Sequence, residues 1–175
     1  KSYPIERPQE IEKKVKEIHE KIGDDVLVEE FIDGREFFVS ILGNENLKPL
    51  PIVELDYIDW PAEKPKIYTQ KAKISERSKE YKSTKAKIPS DLDIETQSRL
   101  YDMAIAAYRA LDIKDYGRID MRMTKDGKIY VLEANANQYL AVTAETFFAA
   151  QAASLDYQQL LDKIIEAALT RAKNK

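Results

Sequence analysis

The chain has 175 residues, 43% of them apolar and 34% charged, enough for one domain with a real hydrophobic core and unlike a disordered or fibrous sequence. Its formal charge of −3 argues against a general nucleic-acid binder, and the absence of cysteine excludes disulfides, thiolate catalysis and cysteine-held zinc. No apolar run approaches the roughly 20 residues of a membrane span, and the opening KSYPIERPQE lacks the regions of a secretory signal, so a soluble, cytoplasmic protein is expected.

Ile11, Val15, Ile18 and Ile22 recur at helical spacing, with Pro8 suited to a first turn and Gly23 to a helix end, so residues 8–22 are predicted as a helix. His19, the only histidine, lies beside that stripe and reads as a surface residue. The segments 26–30 and 36–42 are rich in strand formers, and Asp33-Gly34 between them signals a hairpin. A third strand, roughly 47–55, should follow the Gly43-Asn44 turn, after which the regular pattern stops until Ser90. There a Ser-Asp cap precedes Ile94, Tyr101, Ala104, Ile105, Tyr108 and Leu111, a long amphipathic helix. Residues 118–123 and 128–134 flank Asp126-Gly127 as a second, clearer hairpin. Two helices, about 143–153 and 156–172, close the chain, the latter with Leu160, Leu161, Ile164, Ile165 and Leu169 on one face. Neither an internal repeat nor an interdomain linker is visible.

Charge is unevenly placed. Residues 61–90 hold nine Lys or Arg against three Glu, which reads either as a solvated loop or as a loop that folds over phosphates.

Side chains alternate across a strand, so Arg118, Asp120 and Arg122 share one face of the second hairpin, and Glu133 and Asn135 share a face of its partner strand. A two-residue turn at Asp126-Gly127 puts Asp120 opposite Glu133 and Arg118 opposite Asn135; a four-residue loop shifts the pairing by two, and in either register all four converge. Two facing carboxylates repel unless something offsets them. One reading is magnesium, which prefers such hard oxygen ligands; the other is a polar sheet face on which Arg118 neutralises the acids.

The stretch YGRIDMRMTKDGKIYVLEAN (116–135) resembles the hairpin of ATP-grasp carboxylate-amine ligases of the D-alanine:D-alanine ligase branch, in which Arg, Asp, Glu and Asn occur in this order and spacing. The resemblance implies that Asp120, Glu133 and Asn135 hold two magnesium ions (or manganese), with Glu133 bridging, and that Arg118 is catalytic, contacting the transferring phosphoryl group. A second stretch, VLVEEFIDGREF (26–37), is similar to the family's adenine hinge. It implies an ATP site at Glu29, Glu30, Phe31 and Ile32, with the Glu30 carbonyl and the Ile32 N–H reading the base and Glu36 accepting from the ribose hydroxyls. The segment IYTQKAKI (67–74) looks like the family's phosphate-reaching segment, which places Lys73 there, with Lys71 as the competing assignment.

The resemblance runs from about residue 8 to 170 and departs from the pattern in two places. After Glu133 the chain reads ANANQYLAVTAE where these ligases carry a Pro-Gly-Met type loop and then a serine that helps bind the second amino acid, so the acceptor is left open, along with any amino-acid contact by residues 136–142. All five glycines (23, 34, 43, 117, 127) are isolated, so the family's Gly-rich phosphate loop has no counterpart, nor has its N-terminal domain.

The reading is therefore an α/β (α+β) fold, with residues 1–175 forming an ATP-grasp C-terminal lobe of mostly antiparallel sheet and packed helices, a fragment of a longer enzyme. The resemblance implies an ATP-dependent ligase forming an amide or peptide bond through an acylphosphate. Its partners would be small carboxylate and amine substrates and the missing N-terminal and central parts, with no nucleic acid or membrane; a homodimer is compatible. The alternative is a non-catalytic nucleotide-binding module with a regulatory or scaffold role.

Overall fold

From Phe37 onward the segment REFFVSIL is interrupted only by Ser40, the pattern of a strand covered on both faces. In the computed structural model, which describes residues 4–5, 7–61, 63–68 and 77–173, this segment is the central strand β1 (Arg35–Leu42), buried at every position after Arg35. Around it lie β2 (Lys48–Pro49), β3 (Val53–Tyr57), β4 (Thr84–Lys87), β5 (Tyr116–Met123) and β6 (Ile129–Asn135). The sheet order is β4-β3-β1-β5-β6, with β2 pairing the end of β1, and every pairing is antiparallel. The helices are α1 (Ile11–Ile22), α2 (Lys79–Lys82), α3 (Ile94–Ala110), α4 (Glu145–Ala152) and α5 (Tyr157–Lys173).

Alternation along β1 and β5 splits the core into two layers. Phe37, Val39, Ile41, Ile119 and Met121 pack under Leu100, Ala104 and Tyr108 of α3. Phe38, Leu42, Val53 and Leu55 pack on the other side against Ala149 and Ala150 of α4 and Leu160 of α5. The antiparallel α+β architecture expected from the sequence is the one observed.

Several expected elements are corrected. Residues 26–30 form no strand, and Asp33-Gly34 is not a hairpin turn: β3 and β5 already occupy both edges of β1, so β1 has no edge left to pair with the segment before it. Gly34 is required for another reason, since a Cβ there would lie 2.1 Å from the Met123 carbonyl oxygen. The strand foreseen at 47–55 is two pieces, β2 and β3, and the stretch before Ser90 contains α2 and β4. The cap of α3 is Asp93, whose carboxylate accepts from the Thr96 N–H at 2.7 Å, rather than Ser90-Asp91. On α5 Leu160 is fully buried, while Ile165 and Leu169 are exposed; Ile94 at the start of α3 and Leu111 just past its end are likewise exposed. The exposed His19 and the two closing helices are as expected, the helices within two residues at their ends, whereas the first helix begins at Ile11, three residues later than expected, after a 3-10 turn at Pro8–Glu10.

Candidate functional site

The register of three neighbouring strands assembles one polar strip on the sheet face that α4 and α5 cover. Glu36 stands opposite Arg122, Phe38 opposite Asp120 and Ser40 opposite Arg118, while across the next ladder Asp120 faces Glu133 and Arg118 faces Asn135. The turn that produces this is neither of the two foreseen. The Thr124 N–H donates to the Lys128 carbonyl and the Gly127 N–H to the Thr124 carbonyl, both at 2.9 Å, which leaves a three-residue loop with Gly127 at φ 81°. That loop is one residue out of step with the two-residue turn. A bulge at Leu132 restores the step, so the four site residues meet in the two-residue register after all.

Within the strip, Arg118 and Asp120 are buried at 7% and 5% exposure and bonded through two parallel hydrogen bonds, Nε to Oδ1 at 2.7 Å and Nη2 to Oδ2 at 2.9 Å. The remaining guanidinium nitrogen Nη1 donates to Glu145 Oε2 at 2.8 Å, and the Tyr68 hydroxyl donates to Glu145 Oε1 at 3.0 Å. Glu145 opens α4, where a carboxylate suits the helix N-terminus. Burial acts to lower the Arg118 pKa, and the hydrogen bonds and charge of Asp120 together with the charge of Glu145 more than offset it, so the guanidinium stays charged. Burial, reinforced by Glu145, raises the Tyr68 pKa, so its hydroxyl stays a donor. Glu133 is exposed and makes no side-chain hydrogen bond or ion pair with the described residues. Arg118 therefore neutralises Asp120 and Glu145 but not Glu133. Beside them, Ser40, Thr146 and Gln138 form a buried polar cluster, with Thr146 Oγ1 donating to Gln138 Oε1 at 2.5 Å. The Asn135 and Gln138 side-chain amides are buried without a partner for their nitrogens.

Further along the strip, Glu36 is 6% exposed and Arg122 4%. Arg122 Nη2 donates to Glu36 Oε2 at 2.7 Å, and the Tyr57 hydroxyl donates to the same oxygen at 2.8 Å. Arg122 Nη1 donates to the Ile32 carbonyl at 2.7 Å, Nη2 also reaches the Lys66 carbonyl, and the guanidinium carbon lies 5.1 Å from the Phe31 ring centroid. Burial, with Glu36 beside it, raises the Tyr57 pKa.

Residues 4–166 match the family model described as D-ala D-ala ligase C-terminus. The chain belongs to this family. A D-alanine–D-alanine ligase of Desulfotalea psychrophila is 32% identical over 150 residues, 86% of this chain and 44% of that protein. An uncharacterized protein, y4sG, of Sinorhizobium fredii is 34% identical over 167 residues, 95% of this chain and 48% of that protein. Among solved structures, the D-alanine–D-alanine ligase of Bacillus anthracis complexed with ATP superposes with a TM-score of 0.73 at 28% identity, over 96% of this chain and 49% of that one. The chain thus spans about half the length of the relatives it matches.

For a member of the D-ala D-ala ligase C-terminus family, the sequence-derived residues fall into two groups in the structure. Arg118, Asp120, Glu133 and Asn135 share one face, and Glu36 lies on the same face one strand away. Glu29, Glu30 and Phe31 are exposed and Ile32 is half-buried in a segment without regular structure. Lys71 and Lys73 lie outside the described residues. The basic segment does not act as one unit: Lys85 and Lys87 are on β4 opposite Asp56 and Glu54, on the face away from the strip, and Lys87 bonds Asp56 at 3.0 Å.

Tyr57, Tyr68, Glu145 and Gln138 belong to the strip but were not foreseen. For Glu145 the one available signal was an acid opening a helix; for Arg122 it was alternation with Arg118 and Asp120. Among the described residues, no three His, Cys, Asp or Glu side chains converge as a metal-holding group. The strip does offer two carboxylates and an amide oxygen, the hard donors that magnesium takes together with phosphate oxygens, and Glu133 has no competing partner.

Proposed function

We propose that this chain is the nucleotide- and metal-holding lobe of an ATP-dependent carboxylate-amine ligase, one that joins an amino acid or similar amine to a carboxylate. The observation that carries the reading is the convergence of Arg118, Asp120, Glu133 and Asn135 on one sheet face beside Glu36, in a chain of this family. Asp120, Glu133 and Asn135 would hold magnesium, which when bound offsets phosphate charge. In the first step a substrate carboxylate oxygen attacks the γ-phosphorus and ADP leaves, giving an acylphosphate. In the second an amine attacks the acyl carbon, phosphate leaves and the amine loses a proton.

What the chain's own groups contribute is charge and position. Arg118, kept ionised and held by Asp120 and Glu145, supplies a rigid positive fork where the phosphoryl group would develop charge. Glu36 offers a buried acceptor for a ribose hydroxyl, and Lys73 or Lys71 would add a point charge to the phosphates. The 136–142 sequence leaves the acceptor open, so the amine is assigned only to the amino-acid class.

The test is ADP and phosphate release by the full-length protein with ATP and magnesium, against a panel of amino acids singly and in pairs. Release that requires both a carboxylate and an amine is expected. Tight ATP binding with no release under any pair would favour the non-catalytic module and remove the ligase reading.

A further inference from the structure

The two segments that border the proposed nucleotide compartment, 24–33 and 58–68, contain no strand or helix among their described residues, so no ladder fixes them to the sheet. A single side chain bonds both. Arg122 stands near the end of β5, and its guanidinium donates to the Ile32 carbonyl in the first segment and the Lys66 carbonyl in the second. Its guanidinium carbon lies over the Phe31 ring, and its Nη2 also bonds Glu36. Only a planar group with several donors in fixed directions can make these contacts at once; a lysine has a single nitrogen on a flexible stem.

The pattern at Glu36 is asymmetric. Arg122 and Tyr57 both donate to Oε2, and Oε1 has no partner among the described residues. One oxygen is thereby anchored while the other keeps its acceptor capacity. A carboxylate this buried also needs a cation beside it, which Arg122 supplies.

We propose that Arg122 is a positioning residue for nucleotide recognition: it fixes Glu36 with Oε1 free for a ribose hydroxyl and ties the Ile32 hinge to the sheet, and so sets the preference for ATP over its deoxyribose analogues. The proposal rests on the nucleotide site described above. It assigns Arg122 no contact with the reacting atoms.

The test uses the full-length protein in magnesium, with titration calorimetry against ATP, 2′-deoxy-ATP and 3′-deoxy-ATP. Wild type is compared with Arg122→Lys, Arg122→Met and Glu36→Ala, and each variant is melted without nucleotide to establish folding. Wild type should favour ATP over at least one deoxy analogue by about tenfold or more, the scale of one hydrogen bond to a charged group. Both Arg122 variants should bring that ratio close to one, as Glu36→Ala should, and should raise the KM for ATP far more than they lower kcat. An Arg122→Lys or Arg122→Met protein that folds and keeps the wild-type ratio overturns the proposal. So does failure of both variants to fold, which would make Arg122 a folding residue. Wild type that binds no ATP defeats the proposed function itself, and is thereby distinguished from a failure of the Arg122 assignment alone.

Discussion

Asp120 and Glu133 face each other across a ladder, yet their environments differ. Asp120 is buried and doubly bonded to Arg118; Glu133 is exposed and unpaired among the described residues. Substitution should therefore separate stability from activity. Glu133→Gln removes no internal contact, so its thermal midpoint in chelator should match wild type, while ATP turnover by the full-length protein falls by about 100-fold or more if it holds metal. Asp120→Asn should lower turnover too, but it also leaves a buried guanidinium short of countercharge, at a cost of about 1–3 kcal/mol. Melting curves set beside ADP release check both; a Glu133→Gln protein with full turnover would remove Glu133 from the metal site. Repulsion between the facing acids, expected from the sequence, is answered at Asp120 by Arg118, so relieving it should add no stability.

Among the elements, the start of β1 is held by a close approach that only glycine permits. Gly34→Ala would drive a Cβ into the Met123 carbonyl and push apart the first β1–β5 pair, Arg35 and Met123, so a loss of at least about 1–3 kcal/mol is expected in chemical denaturation. A second joint ties α5 to the turn after β1. Arg171 donates to both oxygens of Asp115 at 2.9 and 2.7 Å, and Asn44 donates to one of them at 3.0 Å. The Arg171 hydrogen bonds hold the Asp115 carboxyl below its usual range. Because the folded pKa lies below the unfolded value of about 3.9, this contribution is complete above that value and is lost as pH falls through the folded pKa. Asp115 has φ 67°, a conformation asparagine also accepts, so Asp115→Asn tests charge with little added strain. The variant should melt below wild type near neutral pH, and the two melting temperatures should converge below about pH 4.

For the molecule as a whole, the sheet divides its labour between faces. One face packs α3 and, among the described residues, bears the ion pairs of Arg35, Glu54, Asp56, Lys87 and Asp91 at its rim; the other carries the polar strip. Nucleotide binding in the full-length protein should accordingly slow hydrogen exchange in residues 24–33 and 63–68 and leave β4 and α3 unchanged. Mass-spectrometric exchange with and without ATP and magnesium checks this, and equal exchange in all segments would separate the strip from nucleotide binding.

The chain's own order of residues determined its local events: the helices at α1, α3 and α5, the β5–β6 hairpin, and the convergence of Arg118, Asp120, Glu133 and Asn135. Alternation and helical period act over a few residues, and a shift by two leaves a strand's faces unchanged; the three-residue loop that formed shifts the pairing by one, and the convergence holds because the bulge at Leu132 restores the step. Val26 to Glu30 reads as a strand just as plausibly, but whether a strand forms depends on a free edge, and β3 and β5 had taken both edges of β1. The partners of Arg118 and Arg122 were hidden for the same reason. Glu145 lies 27 residues from Arg118 and Glu36 lies 86 from Arg122, and no local pattern encodes contacts that arise only when separate segments are packed on one sheet. Sequence chose the faces and the chemistry available on them; the tertiary structure, by filling edges and burying charges, decided which groups are bound to one another and which, like Glu133 and one oxygen of Glu36, are left open.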